Sequence, residues 1–255
     1  MKRLIYVSFL VFFSSAIKAQ ITSIPDSKFE QSLIDQGIDS DGIINGQVLT
    51  SDVASIDYLD VSENEIIQLT GIEDFTNLTE LHCQRNQLTS LTLGAIKKLK
   101  VLNCSENQLS SLSLKDLVEL RILDCSSNKI SEINVSSNEL LEEFQCHDNL
   151  LQTLNLKSNL ELTLLNCSNN QFHVLNITFN WKLKYLDFSS NFFEYIDLVN
   201  CVRLEYLNGS DNPLTSVFLN NMTELQKIYL VDNDLLQEVN FSHNHKLKEI
   251  VCREN

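Results

Sequence analysis

An asparagine returns through this chain at Asn64, Asn86, Asn107, Asn128, Asn149, Asn170, Asn191, Asn212, Asn233 and Asn255, always after 21 or 22 residues. A period of that length marks one coil of a stacked array, and it constrains the fold more than any other feature. The same grammar surrounds each asparagine, as in Leu78-Thr79-Glu80-Leu81-His82-Cys83-Gln84-Arg85-Asn86 and Leu99-Lys100-Val101-Leu102-Asn103-Cys104-Ser105-Glu106-Asn107. Such a chain leaves a parallel strand and turns inward within a few residues, so buried amides and carbonyls need partners. A carboxamide donates and accepts, and can therefore serve its own turn and the next one.

A second rhythm lies inside the first. Leu88, Leu91 and Leu93 echo Leu78, Leu81 and Cys83 half a coil later, and Leu109, Leu112, Leu114 and Ile130, Ile133, Val135 repeat it, which predicts two short strands per coil. These motifs resemble the leucine-rich repeat family, in particular the nested bacterial type called IRREKO, from about Ile56 to Asn255. The resemblance implies an α/β, mostly β solenoid: a right-handed leucine-rich-repeat superhelix with parallel strands and an N-terminal helical cap. It implies recognition rather than a particular ligand, because one fold hosts many functions.

The segments follow in order. Met1-Lys2-Arg3, the apolar run Leu4 to Ile17 and Ala16-Ile17-Lys18-Ala19 predict a signal peptide over 1–19, hence export to the periplasm, the cell surface or the medium. No transmembrane segment is expected after its cleavage. Residues 20–55 read as the cap. Within it, Pro25 suits the first turn of a helix, Phe29, Leu33 and Ile34 form its apolar face and Gly37 ends it. Ile44 to Leu49 reads as a tight hairpin or an extended lead into the array. Asp39-Ser40-Asp41-Gly42 suggests a calcium loop, but Val48 stands where the closing carboxylate belongs, so a turn is the better reading. The array fills 56–255 in about ten coils, the last incomplete. Its end, with Leu247, Ile250 and Cys252, is uncapped and would favour self-association.

Charge and cysteines narrow the function. Loss of Lys2, Arg3 and Lys18 takes the formal charge from -15 to -18, which repels nucleic acid. Cys83, Cys104, Cys125, Cys146, Cys167 and Cys252 occupy an inward repeat position, so the reading is a file of buried thiols with neither disulfide nor metal. Cys201 falls outside the file and reads as an exposed reactive thiol. The pairs His82-Cys83 and Cys146-His147 point to opposite sides of a strand, and no cofactor motif appears, so no catalytic site is expected.

What remains is surface. Repeat positions three, five and seven face the concave side. Position three runs Val101, Ile122, Glu143, Leu164, Tyr185, Tyr206, Lys227, and position five includes Asp124, Asp187, Asn208 and Tyr229, with the carboxylates read as solvated. Phe172, Phe188 and Phe193 read as core, whereas Trp181 and Phe192 lie in turns with burial undecided. The expected partner site is Leu164, Tyr185, Asp187, Tyr206, Asn208 and Tyr229, for a protein or glycan, since a tyrosine buries much area and keeps a polar tip. The alternatives are a self-assembling surface element or the targeting arm of a larger protein.

Overall fold

The computed structural model describes residues 20–253, so the predicted signal peptide and the last ladder position, Asn255, lie outside the described residues. After β1 (Ile21–Ser23), α1 (Ser27–Asp35), β2 (Gln47–Leu49) and α2 (Thr50–Val53), ten three-residue strands follow. They are β3 (Tyr58–Asp60), β4 (Glu80–His82), β5 (Val101–Asn103), β6 (Ile122–Asp124), β7 (Glu143–Gln145), β8 (Leu164–Asn166), β9 (Tyr185–Asp187), β10 (Tyr206–Asn208), β11 (Lys227–Tyr229) and β12 (Glu249–Val251). They form one parallel sheet in sequence order, and equivalent residues of neighbouring coils pair in register, as Leu186 does with Leu165 and Leu207.

The asparagine ladder holds the turns. Asn149 Oδ1 accepts from Ile130 N at 2.9 Å in the preceding coil. Its Nδ2 donates to Cys125 O of that coil and to Cys146 O and His147 O of its own, at 3.0, 3.2 and 3.1 Å. Asn107, Asn170, Asn191 and Asn212 repeat this set. The residue before each ladder asparagine, from Glu63 to Asp232, has φ between 49° and 58°. A non-glycine residue in that left-handed region is disfavoured by roughly 1–2 kcal/mol, and the satisfied carboxamide offsets it.

The cap follows the expected chemistry with shifted ends. Asp26 caps α1 by accepting from Lys28 N and Phe29 N, so Pro25 precedes the helix instead of entering its first turn. The other oxygen of Asp26 accepts from Ile67 N and Gln68 N, tying cap to first coil. Phe29 and Leu33 are fully buried, and Gly37, at φ 68°, ends the helix. Gln47–Leu49 pairs antiparallel with Ile21–Ser23, and the Asp39–Asn45 stretch is a turn in which Asp41 accepts from Ile43 N and Asn45 Nδ2.

Three expectations need correction. The second half-coil strands do not form a sheet. Leu91, Leu93, Leu112 and Leu114 are buried as expected, but among the described residues only Asn155 and Asn176 make a parallel bridge there. Asn134, Asn155, Asn176 and Asp197 each accept the N–H two residues on, a local turn bond in place of a strand. Cys201 is buried, not exposed: it continues a second inward row, Asn138, Asn159, Asn180, unrecognised in the sequence. Those asparagines donate to carbonyls of the preceding coil, as Asn180 does to Leu156 O and Asn159 O at 3.2 and 2.8 Å. Cys252 is exposed, because no described coil stacks upon it.

Cys83 to Cys167 form the expected buried file without disulfides. The file continues with Phe188 and Gly209, and a Cβ on Gly209 would lie 2.4 Å from Phe188 Cζ, so the large ring is accommodated by its neighbour's missing side chain. Gly209→Ala is expected to destabilise by about 1–3 kcal/mol through overpacking, and Phe188→Leu should relieve it; urea unfolding of the single and double variants checks both. Asn149→Ala strands carbonyls in two coils and should lower stability by about 3 kcal/mol or more, seen as a reduced urea midpoint. Burial pushes the Cys83 and Cys201 thiols up to about 12. Mass spectrometry after brief iodoacetamide treatment should therefore find Cys252 alkylated in the native chain and the other thiols modified only after denaturation.

Candidate functional site

The tyrosine row exists as a stacked column. Tyr185 and Tyr206 are register partners on β9 and β10, and their rings lie 4.3 Å apart and 5° from parallel. Tyr229, at position five of the next coil on β11, packs on Tyr206 at 5.5 Å and 41°. Parallel strands in register place equivalent side chains about 4.8 Å apart, close to the thickness of an aromatic ring, so two tyrosines at position three must meet face to face. Each ring spends its inner face on the other. Leu164 lies beside the outer face of Tyr185, being its partner on β8, and Lys227 and Tyr229 border Tyr206 on the other side. Ring edges and hydroxyl groups are what remain to be presented.

The hydroxyls are connected. Burial raises the Tyr206 phenol well above its usual range, helped by the neighbouring Tyr185 and Asp187 and by the hydrogen bond it donates to the Tyr185 hydroxyl. Burial also raises Tyr185, slightly offset by that accepted bond. The Tyr229 hydroxyl bonds to Glu249, which raises the phenol and lowers the carboxyl; Lys227 Nζ sits 3.1 Å from the same carboxylate. The column is thus neutral at its centre, with an ion pair at one end.

Position five behaves differently from its reading. Asp187 is only 8% exposed rather than solvated. Its Oδ1 accepts from Ser189 N and Oγ at 3.0 and 2.6 Å, and its Oδ2 accepts from Asn208 Nδ2 at 3.0 Å. Asn208 Oδ1 in turn accepts from Ser210 N. The same Asx-to-serine bond occurs at Asn103, Asp124 and Asn166. Position five and the serine at position seven therefore shape the exit from the strand, and Asp187 and Asn208 bond to each other and to these serines in the column beside Tyr185 and Tyr206. The signal was in the sequence: an Asx followed two residues later by Ser is a turn signature.

The remaining aromatic residues divide between core and surface. Phe172, Phe188 and Phe193 are buried, whereas Trp181 and Phe192 are 43% and 50% exposed. The Arg203 guanidinium lies 4.7 Å from the Trp181 ring centroid, and Phe192 stacks on His173. Leu160, Trp181 and Val202 share one repeat position and are all exposed, an alignment available from the 21-residue spacing alone. The cysteine–histidine pairs divide as strand alternation requires: Cys83 and Cys146 are buried, while His82 contacts Glu80 and His147 contacts Asp148, both at 2.7 Å. Among the described residues no group of three or more His, Cys, Asp or Glu is placed to hold a metal ion, and no helix is long and apolar enough to cross a membrane.

No protein-family model and no curated protein matches the sequence. Among solved structures the chain is similar to internalin C2 of Listeria monocytogenes, at 23% identity and a TM-score of 0.74, covering 85% of this chain and 100% of that one. It is also similar to the functional domain of InlJ from Listeria monocytogenes, a domain that includes a cysteine ladder, at 26% identity and a TM-score of 0.57, over 94% of this chain and 63% of that one. A third likeness is to the LRIM1/APL1C complex, at 21% identity and a TM-score of 0.67, over 80% of this chain and 41% of the other. The chain thus spans less than two thirds of the InlJ domain. The register of the ten-stranded sheet, the carboxamide ladder and these likenesses together identify the fold as a leucine-rich-repeat solenoid.

Proposed function

We propose that this chain is a noncatalytic recognition module working outside the cytoplasm, secreted or at the cell surface, whose partner docks on the exposed sheet face at Leu164, Tyr185, Tyr206 and Tyr229. Asp187 and Asn208 belong to the site as the hydrogen-bonded column beside the tyrosines. The observation that carries this reading is the stacked tyrosine column, which offers a rigid apolar surface with hydroxyl tips and little rotamer freedom left to lose. Of the two partner classes, protein or glycan, the geometry favours protein. A sugar that stacks through its C–H groups needs an open ring face, and here the faces of Tyr185 and Tyr206 are turned to one another. Likeness to a structure solved as the LRIM1/APL1C complex supports a protein-binding use of the fold.

The principal test is a screen of residues 20–255 against arrays of glycans and extracellular proteins. Tyr185→Ala with Tyr206→Ala is expected to keep the native circular dichroism and to weaken the identified partner by about tenfold or more, the usual cost of a truncated aromatic hot spot. Retained affinity in the folded double variant would remove the sheet face from consideration. Tyr206→Phe separates hydroxyl recognition from ring area, because only the former should suffer.

A further inference from the structure

Half a coil away from the sheet, neighbouring coils leave a groove between them. Two copies of this groove, related by 84 residues, have the same floor and different walls. The first, about 600 Å³, has Leu112 and Leu114 below and Ser111, Lys115, Glu132 and Asn134 around it. The other, about 520 Å³, has Ile196, Leu198 and Met222 below, and Tyr195, Val199 and Phe218 stand in its walls beside Asn220 and Asn221. The fold supplies the groove; the side chains decide what enters it.

Phe218 is the telling substitution. Its repeat position holds Asn134, Asn155, Asn176, Asp197 and, after it, Asn240, and each of these accepts the backbone N–H two residues on. Phenylalanine cannot make that bond, and here its ring is 73% exposed, so the change removes a turn interaction and places an aromatic ring in water. Tyr195 and Val199, where the equivalent groove has Ser111 and Lys115, are 62% and 52% exposed. Neither packing nor turn chemistry accounts for three such residues around one depression.

We propose that this groove is a binding site for a flat apolar group bearing a positive charge, as a protein partner presents where an aromatic side chain adjoins a lysine or arginine. Asp197 is the one charged residue in the lining; its Oδ1 accepts from Val199 N at 3.0 Å, and its other oxygen is left for a ligand. The aromatic walls attract a cation as well, through their ring faces. The volume lies in the range of sites that enclose a small organic group. The site is independent of the tyrosine column on the sheet, and each can fail without the other.

The test uses the mature chain, residues 20–255, with tryptamine and indole-3-propionate as probes of equal ring and opposite charge, titrated by NMR. Two variants are chosen to keep the fold: Asp197→Asn, because asparagine serves the same turn at Asn134, Asn155 and Asn176, and Phe218→Asn, which restores the residue usual at that position. Tryptamine is expected to bind about fivefold more tightly than indole-3-propionate, as one ion pair at partly solvated distance supplies. Asp197→Asn should abolish that difference, and Phe218→Asn should remove binding of both probes. Absence of binding, equal binding of the two probes, or affinities unchanged in either variant would overturn the proposal.

Discussion

The side-chain carboxamide at the inward turn is the interaction on which this molecule depends. A coil of 21 residues must reverse direction inside a narrow cross-section, which brings backbone carbonyls and amides into the core, away from water. One asparagine satisfies such groups in two coils at once, as Asn149 does with Cys125, Ile130, Cys146 and His147. That bond set stacks the coils without a register shift and sustains the left-handed residue before each asparagine. A lost carboxamide is therefore felt in two coils, and an array with only nearest-neighbour contacts has no distant packing to absorb the loss.

Perfect stacking has consequences for the surface. Side chains at one repeat position are held a strand spacing apart, so identical residues must interact with one another before they interact with anything else. Small polar residues link into turn bonds, as Asp187 and Ser189 do; opposite charges pair between coils, as Lys182 and Glu161 do at 2.5 Å; aromatic rings stack. A tyrosine column on such a sheet is preorganised and presents edges. Half a coil away, where strands give way to turns and grooves, Tyr195 and Phe218 line a groove and are 62% and 73% exposed.

The interior obeys the same rule with a different outcome. The file that begins with Cys83 is uniform through Cys167, then takes Phe188 and Gly209, one larger and one smaller than its neighbours. The pair preserves volume across adjacent coils, so the stack continues undistorted. The second row changes from polar Asn138, Asn159 and Asn180 to apolar Cys201 and Met222 at one turn position, which is why Cys201 is buried although it lies outside the main thiol file.

Much of this was legible in the residues. The period fixed the order of the coils, the inward leucines, the thiol file and the alignment of Tyr185 with Tyr206, because equal spacing in a one-dimensional stack becomes equal position in space. The tertiary structure decided what depends on competition between local bonds. The second half-coil rhythm gave turns instead of a second sheet, a serine two residues on drew Asp187 below the surface, and the stacking of Tyr185 on Tyr206 turned ring edges, not faces, outward. Spacing says which residues meet; only the packed coil settles whether a given side chain uses its polar atoms on its own turn or holds them out to a partner.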